Sequence, residues 1–216
     1  MRRGVRLPLE QLAPYLLAVP ELPAALDWQA VFGNAGPVEI EIGFGKGAFI
    51  LTAATARRDV NFLGVEIERK YQLFTANRIA KRGLDNVRLA RADARQFLRD
   101  CVPSDSVRGL HVYFPDPWWK RRHHKRRLWT AEFAAQCERI LEPGGRLHAA
   151  TDVADYFATI AALLAERPRL RRLPGSDAKS PAPSSDFLSN FERKSLQAGE
   201  SVYRSVHEKL TVPRAE

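Results

Sequence analysis

Val38-Glu39-Ile40-Glu41-Ile42-Gly43-Phe44-Gly45-Lys46-Gly47-Ala48 carries an apolar strand through three alternate glycines into a helix. Glycines at that spacing let the backbone turn tightly and approach a ligand without Cβ clashes. Downstream, Phe49, Ile50, Ala53 and Ala54 fill a helix of small and apolar residues. A strand, a glycine turn and a helix in this order form the nucleotide-binding corner of an open α/β sheet. The loop alone leaves the ligand open. GFGKGA also satisfies GxGxxA, the dinucleotide fingerprint, so a nicotinamide cofactor is one alternative; no GxxxxGK[ST] occurs, which excludes a P-loop.

The alternation continues from this corner. Asn61–Val65 reads as a second strand, 68–82 as a helix closed by Gly83, and Val87–Ala90 as a third strand, after which Asp93 caps a short helix with Phe97 and Leu98. A fourth strand spans Gly109–Tyr113. Trp129, Phe133, Cys137 and Ile140 then recur at helical spacing, Pro143-Gly144-Gly145 turns into a fifth strand, Arg146–Ala150, and Phe157, Ile160 and Leu164 mark one face of a helix at 153–166. Ser201–Thr211 alternates as a last strand. Strands alternating with helices of this length predict a mostly parallel, doubly wound α/β sheet. Residues 1–35, leucine- and proline-rich without periodicity, are expected to form an N-terminal extension, and 36–216 one domain. A Pro-, Ser- and Gly-rich stretch at about 174–186 is expected to be a mobile loop within it. Acidic residues stand where such a sheet presents ligands: Glu41 before the glycines, Glu66 after the second strand and Asp93 after the third. A carboxylate at Glu66 suits ribose hydroxyls, and one at Asp93 suits an adenine.

The fourth strand runs into Phe114-Pro115-Asp116-Pro117-Trp118-Trp119-Lys120 and then Arg121-Arg122-His123-His124-Lys125-Arg126-Arg127. Prolines on both sides of Asp116 restrict the backbone and remove two donors, as a fixed loop requires. Tryptophans in a loop offer stacking surfaces for unpaired bases; Trp118 by itself reads equally well as a residue packed back on the core. The chain of 216 residues carries a formal charge of +9, six of it between Lys120 and Arg127, and the other 208 residues carry only +3. A single concentrated cationic patch points to a polyanion, nucleic acid above all. Cys101 and Cys137 belong to no CxxC or metal-ligand cluster and are expected to pack as small hydrophobes, with no disulfide framework and no metal site. The N-terminus makes a poor signal peptide, and no run of about 18 apolar residues occurs. A cytoplasmic protein without a membrane span is expected, its oligomeric state not legible.

Together PDPWWKRRHHKRR resembles the signature of the bacterial tRNA (guanine-N7)-methyltransferase family, in which PDPW precedes a lysine and a basic RHxKRR run. Ala150-Thr151-Asp152 resembles the family's threonine–aspartate pair, and Ser189-Asn190-Phe191-Glu192 its TxFE motif, with serine in place of threonine. The resemblance covers residues 37–210. It implies a seven-stranded sheet of the class I methyltransferase (Rossmann-like) type, and S-adenosylmethionine as cofactor, held by Glu41, Gly43, Gly45, Gly47, Glu66, Asp93 and Asp116. Asp116 is implied as the catalytic residue, and Lys120, Asp152, Ser189, Phe191 and Glu192 as residues binding the nucleotide. Arg122, His123, His124, Lys125, Arg126 and Arg127 are implied to contact tRNA. The reaction implied is methyl transfer to N7 of a guanine in the tRNA variable loop. Three other readings stay open from the residues themselves. One is an amino-methyltransferase, whose Asp/Asn-Pro-Pro-aromatic loop Asp116-Pro117-Trp118 lacks by one proline. The others are an oxidoreductase resting on GxGxxA and a silent RNA-binding module.

Overall fold

The structure, a computed structural model, describes residues 6–19, 25–174 and 201–211. Its elements run α1 (Leu9–Leu12), β1 (Leu16–Leu17), α2 (Trp28–Phe32), β2 (Val38–Ile42), α3 (Ala48–Ala56), β3 (Asn61–Glu66), α4 (Arg69–Ala80), β4 (Val87–Arg91), α5 (Ala94–Cys101) and β5 (Val107–Tyr113). A 3-10 turn at Arg121–Arg126 precedes α6 (Ala131–Ile140), β6 (Leu141–Thr151), α7 (Ala154–Ala165), β7 (Leu170–Arg172) and β8 (Tyr203–Lys209). The sheet order is β1-β4-β3-β2-β5-β6-β8-β7. All neighbours are parallel except β8, which is antiparallel to both β6 and β7.

The order reverses between β2 and β5, which pair in parallel from Glu39↔Gly109 to Ile42↔Val112. Two loops therefore leave adjacent strands at one carboxyl edge, the glycine loop after β2 and the Asp116 loop after β5, and that is where an open α/β sheet forms its binding crevice. The expected mostly parallel α/β sheet is present, with eight strands rather than seven. The additional strand comes from the N-terminal segment, whose Leu16 and Leu17 pair with Leu89 and Ala90 at the edge of the sheet. Its aperiodic pattern hid a two-residue strand, too short for alternation to register.

Two apolar layers cover the sheet. Val38, Ile40 and Ile42 point with Leu110, Val112 and Leu147 into a cluster closed by α5, α6 and α7. Phe62, Val87 and Leu89 point the other way, against Phe49, Ile50 and Ala53 of α3 and Ala76 and Ile79 of α4. The alternation of VEIEI suits a strand with one wet face, yet all five residues are buried. Glu39 and Glu41 face the α3 side, where each finds a partner described below. Cys101 and Cys137 are free and buried, and burial pushes the thiol of each above its ordinary pKa. On α7 the buried stripe is Tyr156, Ile160 and Leu164. The expectation of Phe157 there is corrected: it is half-buried and stacks on Tyr203 at 5.7 Å. The Pro-Gly-Gly segment expected as a turn before the fifth strand lies within β6, where it bulges. Val107 pairs with Leu141 but Gly109 with Arg146, and Gly144 takes φ +82°. Of the loop expected at about 174–186, only Pro174 lies among the described residues, and Ser189, Phe191 and Glu192 lie outside them.

Candidate functional site

Three left-handed glycines shape the loop after β2: Gly43 at φ +72°, Gly45 at +50° and Gly47 at +69°. Gly43 N donates to Val65 O (2.8 Å) and Gly47 N to Phe44 O (2.7 Å). A Cβ on Gly43 would meet nothing within 4 Å, so this backbone faces open space on the ligand side. Gly47 is the opposite case, because a Cβ there would lie 2.4 Å from Thr75 Cγ2. Thr75 Oγ1 donates to Gly45 O (3.1 Å), which ties the loop to α4.

Two of the expected carboxylates, Glu41 and Glu66, lie at this loop, and the third, Asp93, stands just beyond the end of β4. Glu41 accepts from Ile50 N at 3.2 Å near the start of α3. Burial, with a smaller push from the charge of Glu66, raises its pKa to about 8. Glu66 accepts from Gly45 N and Glu68 N, both at 3.0 Å, and so clasps the loop from the end of β3. Asp93 caps α5 as expected, accepting from Arg95 N at 2.9 Å. Its carboxylate also accepts from the Arg95 side chain (2.8 Å), which holds its pKa below the ordinary value against the effect of burial. Two buried carboxylates beside a Cβ-free cradle fit a cofactor that brings positive charge. A cation placed there would counter the charge of Glu66 and favour the ionised form of Glu41.

Below the crevice, Glu39 is held by a two-bond fork from Arg57 (2.6 and 2.9 Å) and by His111 Nε2 at 2.9 Å. A carboxylate can only accept, so Nε2 carries a proton here, and Nδ1 shares a hydrogen bond with Tyr113 Oη (2.9 Å). Burial would raise the pKa of Glu39; the hydrogen bonds and charges of His111 and Arg57 overcome it and hold it at about 2. Phe49 packs on both rings, at 4.4 Å from His111 and 5.2 Å from Tyr113. The network pins Tyr113, the last residue of β5, immediately before the loop that carries Asp116.

That loop is bracketed by two non-glycine residues in the left-handed region, Phe114 at φ +51° and Trp118 at +46°. Such residues cost about 1–3 kcal/mol each and persist where surrounding contacts over-determine them, commonly at functional sites. Phe114 N donates to Ala150 O (2.8 Å), joining this loop to the end of β6. Asp116 is exposed between the two. Asp152 is also exposed, in the turn after β6, where Val153 N donates to Thr151 Oγ1 (3.3 Å). Tyr113 pairs with Ala150, so both aspartates leave neighbouring strands at the same edge.

The basic run forms the 3-10 turn, and its members do not all face outward. Lys120, Arg122, His124 and Lys125 are exposed and His123 is half-buried. Arg126 lies over the Trp118 ring (5.1 Å), and His123 meets the same ring edge-on (5.9 Å). Trp118 is thus a partly covered platform, whereas Trp119 is 73% exposed. Arg127 turns inward: its Nε donates to Pro117 O at 2.8 Å and its guanidinium lies 4.7 Å over the ring of Tyr156. Tyr156 is fully buried and accepts from Trp129 N at 3.4 Å. Arg127, expected to contact tRNA, is in this structure a clamp on the Asp116 loop. The sequence reading missed Tyr156 because it gave the apolar face of this helix to its neighbour Phe157.

Residues 35–205 match the profile of a family described as "Putative methyltransferase". The tRNA (guanine-N(7)-)-methyltransferase of Rhodopirellula baltica is 41% identical over 209 residues, which cover 94% of this chain and 77% of that protein. The one from Bordetella pertussis is 41% identical over 186 residues, covering 86% and 72%. The chain belongs to the tRNA (guanine-N7)-methyltransferase family. Solved structures extend the likeness in fold alone. The 16S rRNA methyltransferase KamB aligns with a TM-score of 0.60 at 15% identity over 85% of this chain and 93% of its own. TrmN from Thermus thermophilus aligns at 0.58 and 19%, over 84% and 47%. Within the family frame, the glycine cradle and the Asp116 loop meet at the strand-order reversal, and the Asp152 turn borders the Asp116 loop. Among the described residues no group of three or more His, Cys, Asp or Glu could hold a metal ion, and no helix is long and apolar enough to cross a membrane.

The inward Arg127 has a direct consequence. Replacing it with lysine keeps the charge but loses the planar donor and the stacking face. The expected result is a fall in kcat of about tenfold or more, of the order attached to misplacing a catalytic group. The tRNA affinity and its salt dependence should stay close to wild type. Steady-state kinetics with a salt titration of binding checks this; weakened tRNA binding with unchanged kcat would make Arg127 a phosphate contact instead.

Proposed function

We propose that this chain transfers a methyl group from S-adenosylmethionine to N7 of a guanine in tRNA, giving 7-methylguanosine, and that it works in the cytoplasm. The observation that carries the reading is the meeting of the Cβ-free cradle over Glu41 and Glu66 with the strained Asp116 loop at the switch between β2 and β5. Family membership supplies the substrate.

When bound, S-adenosylmethionine would supply an electrophilic sulfonium methyl, and a guanine accepting it at N7 would become cationic. N7 has an in-plane lone pair and no hydrogen, so no side chain needs to remove a proton first. The protein's part is then alignment and electrostatics. Gly43, Gly45 and Gly47 let the backbone approach the cofactor; Glu41, Glu66 and Asp93 are placed to hold its polar groups. Asp116 orients the guanine through its N–H edge, contributes to the cofactor side of the crevice and offsets the charge that appears on the base. Lys120 binds beside the reacting nucleotide. Asp152, with Ser189, Phe191 and Glu192 from beyond the described residues, holds the base or ribose from the other side. The exposed Arg122, His124 and Lys125, with His123 and Arg126, contact tRNA phosphates, and the guanine is the variable-loop one to which the family resemblance points. A tRNA transcribed with 7-deazaguanine, which lacks the nucleophilic nitrogen, is expected to bind and to take up no methyl; uptake equal to that of the normal transcript would move the reaction to another atom.

A further inference from the structure

The charge of the chain is divided differently from its first appearance. Residues 69–82, which comprise α4 and its C-terminal turn, contain Arg69, Lys70, Arg78, Lys81 and Arg82 and no acid. With Lys120–Arg127 set aside as well, the remaining 194 residues carry a net charge of −2. The protein therefore has two cationic segments on an otherwise slightly acidic body, and the proposed function uses only one.

The charges of α4 break the local rules of a solvated helix. Such a face normally interleaves signs at i, i+4, and like charges at that spacing are destabilising. Arg69 and Lys70 sit in the first turn, where the helix dipole disfavours cations. No acid stands in that turn and the N-cap Glu68 makes no side-chain cap bond. Lys70, Phe74, Arg78 and Lys81 recur at helical spacing, with Arg82 beside them. Lys70, Lys81 and Arg82 are exposed and Phe74 is 45% exposed. The Arg78 guanidinium lies 5.8 Å over the Phe74 ring and donates to Lys46 O (2.5 Å), so the face is continuous with the glycine loop. Lys70 pairs with Glu68 at 3.6 Å, yet residues 69–82 hold five cations and no acid, and a cationic helix face of this kind suits a polyanionic partner.

The topology fixes where this face lies. α4 leaves the carboxyl end of β3 and packs near β4, on one side of the β2–β5 switch; the basic run leaves β5 on the other side. We propose that α4 and Lys46 form a second docking surface for tRNA, taking the phosphate backbone of a double-helical stem while the basic run holds the segment that carries the target guanine. The inference rests on the tRNA reading above. Twelve residues of helix span about 18 Å, and RNA duplexes are recognised largely through shape and phosphates; an acid-free cationic face of that length is complementary to them.

The test compares the full chain with a Lys70→Ala/Lys81→Ala/Arg82→Ala variant and with a control of equal charge loss, Arg108→Ala/Arg146→Ala/Arg171→Ala, taken from β5, β6 and β7. Binding of an unmodified tRNA transcript is titrated from about 50 to 200 mM salt, and S-adenosylmethionine affinity checks that each variant is folded. The α4 variant is expected to bind tRNA at least tenfold more weakly, with a log–log salt slope smaller by about 2–3, at roughly 0.9 per lost phosphate contact; the control should retain most of the wild-type slope. Equal weakening in both variants would report net charge alone and overturn the docking surface, as would an α4 variant that matches wild type. If the wild-type chain itself neither binds nor methylates tRNA, the substrate reading fails first and this surface with it.

Discussion

Asp116→Asn is expected to lower kcat by about 10²–10³-fold, the scale on which a single preorganised electrostatic contact to a reacting centre usually counts. The substitution keeps size and shape, so the loop should keep its form. Its frame comes from Phe114 N on Ala150 O and from Arg127 Nε on Pro117 O, neither of which involves the Asp116 carboxylate. Asparagine still accepts through its oxygen but carries no charge against the cationic guanine. S-adenosylmethionine should still bind measurably, because the cradle and the Glu41–Glu66 pair remain. Single-turnover methyl transfer with saturating cofactor and tRNA measures the step itself. Turnover equal to wild type would remove Asp116 from the chemistry and leave it as a loop residue.

Gly47→Ala is expected to be the most damaging change in the cofactor corner. The new Cβ lies 2.4 Å from Thr75 Cγ2, and Gly47 sits at φ +69°. Left-handed backbone costs a non-glycine residue about 1–2 kcal/mol, and overpacking adds roughly 1–3 kcal/mol. Together they should lower Tm by about 10 °C in a chain of this size and abolish measurable cofactor binding, since Thr75 is also the residue that anchors Gly45 O. Gly43→Ala forms the informative contrast. Its Cβ meets no protein atom within 4 Å, so the stability loss is limited to the backbone strain while the methyl projects into the cradle. Thermal melting and cofactor titration of both variants separate the two effects; a Gly43→Ala protein with wild-type cofactor affinity would place the cofactor elsewhere.

Much of this architecture was legible because it rests on local chemistry. Alternate glycines need φ > 0, Asp93 stands where a helix needs a cap, and the apolar periods of β3, β4 and β5 state their burial directly. What stayed hidden depends on contacts distant in sequence. Glu39 looks like the wet face of a strand until Arg57, 18 residues on, and His111, 72 residues on, are brought to its carboxylate. Arg127 looks like one more phosphate-binding cation until the fold lays it over Tyr156. The α4 cations were diluted by averaging them over the whole chain outside the basic run, although an acid-free helix was there to be counted. Leu16–Leu17 becomes a strand only because β4 offers an open edge. Local rules thus expose the cradle and the loop that carries the aspartate, and the supporting layer beneath them emerges only from the packing.

The methylated atom defines the reaction of this enzyme. The most direct test incubates the purified chain with methyl-labelled S-adenosylmethionine and unmodified bulk tRNA, digests the RNA to nucleosides and identifies the one that carries the label. Label in 7-methylguanosine is the expected result. Label confined to a methylated adenosine or cytidine would contradict this assignment and make the chain a methyltransferase for another base on the same sheet.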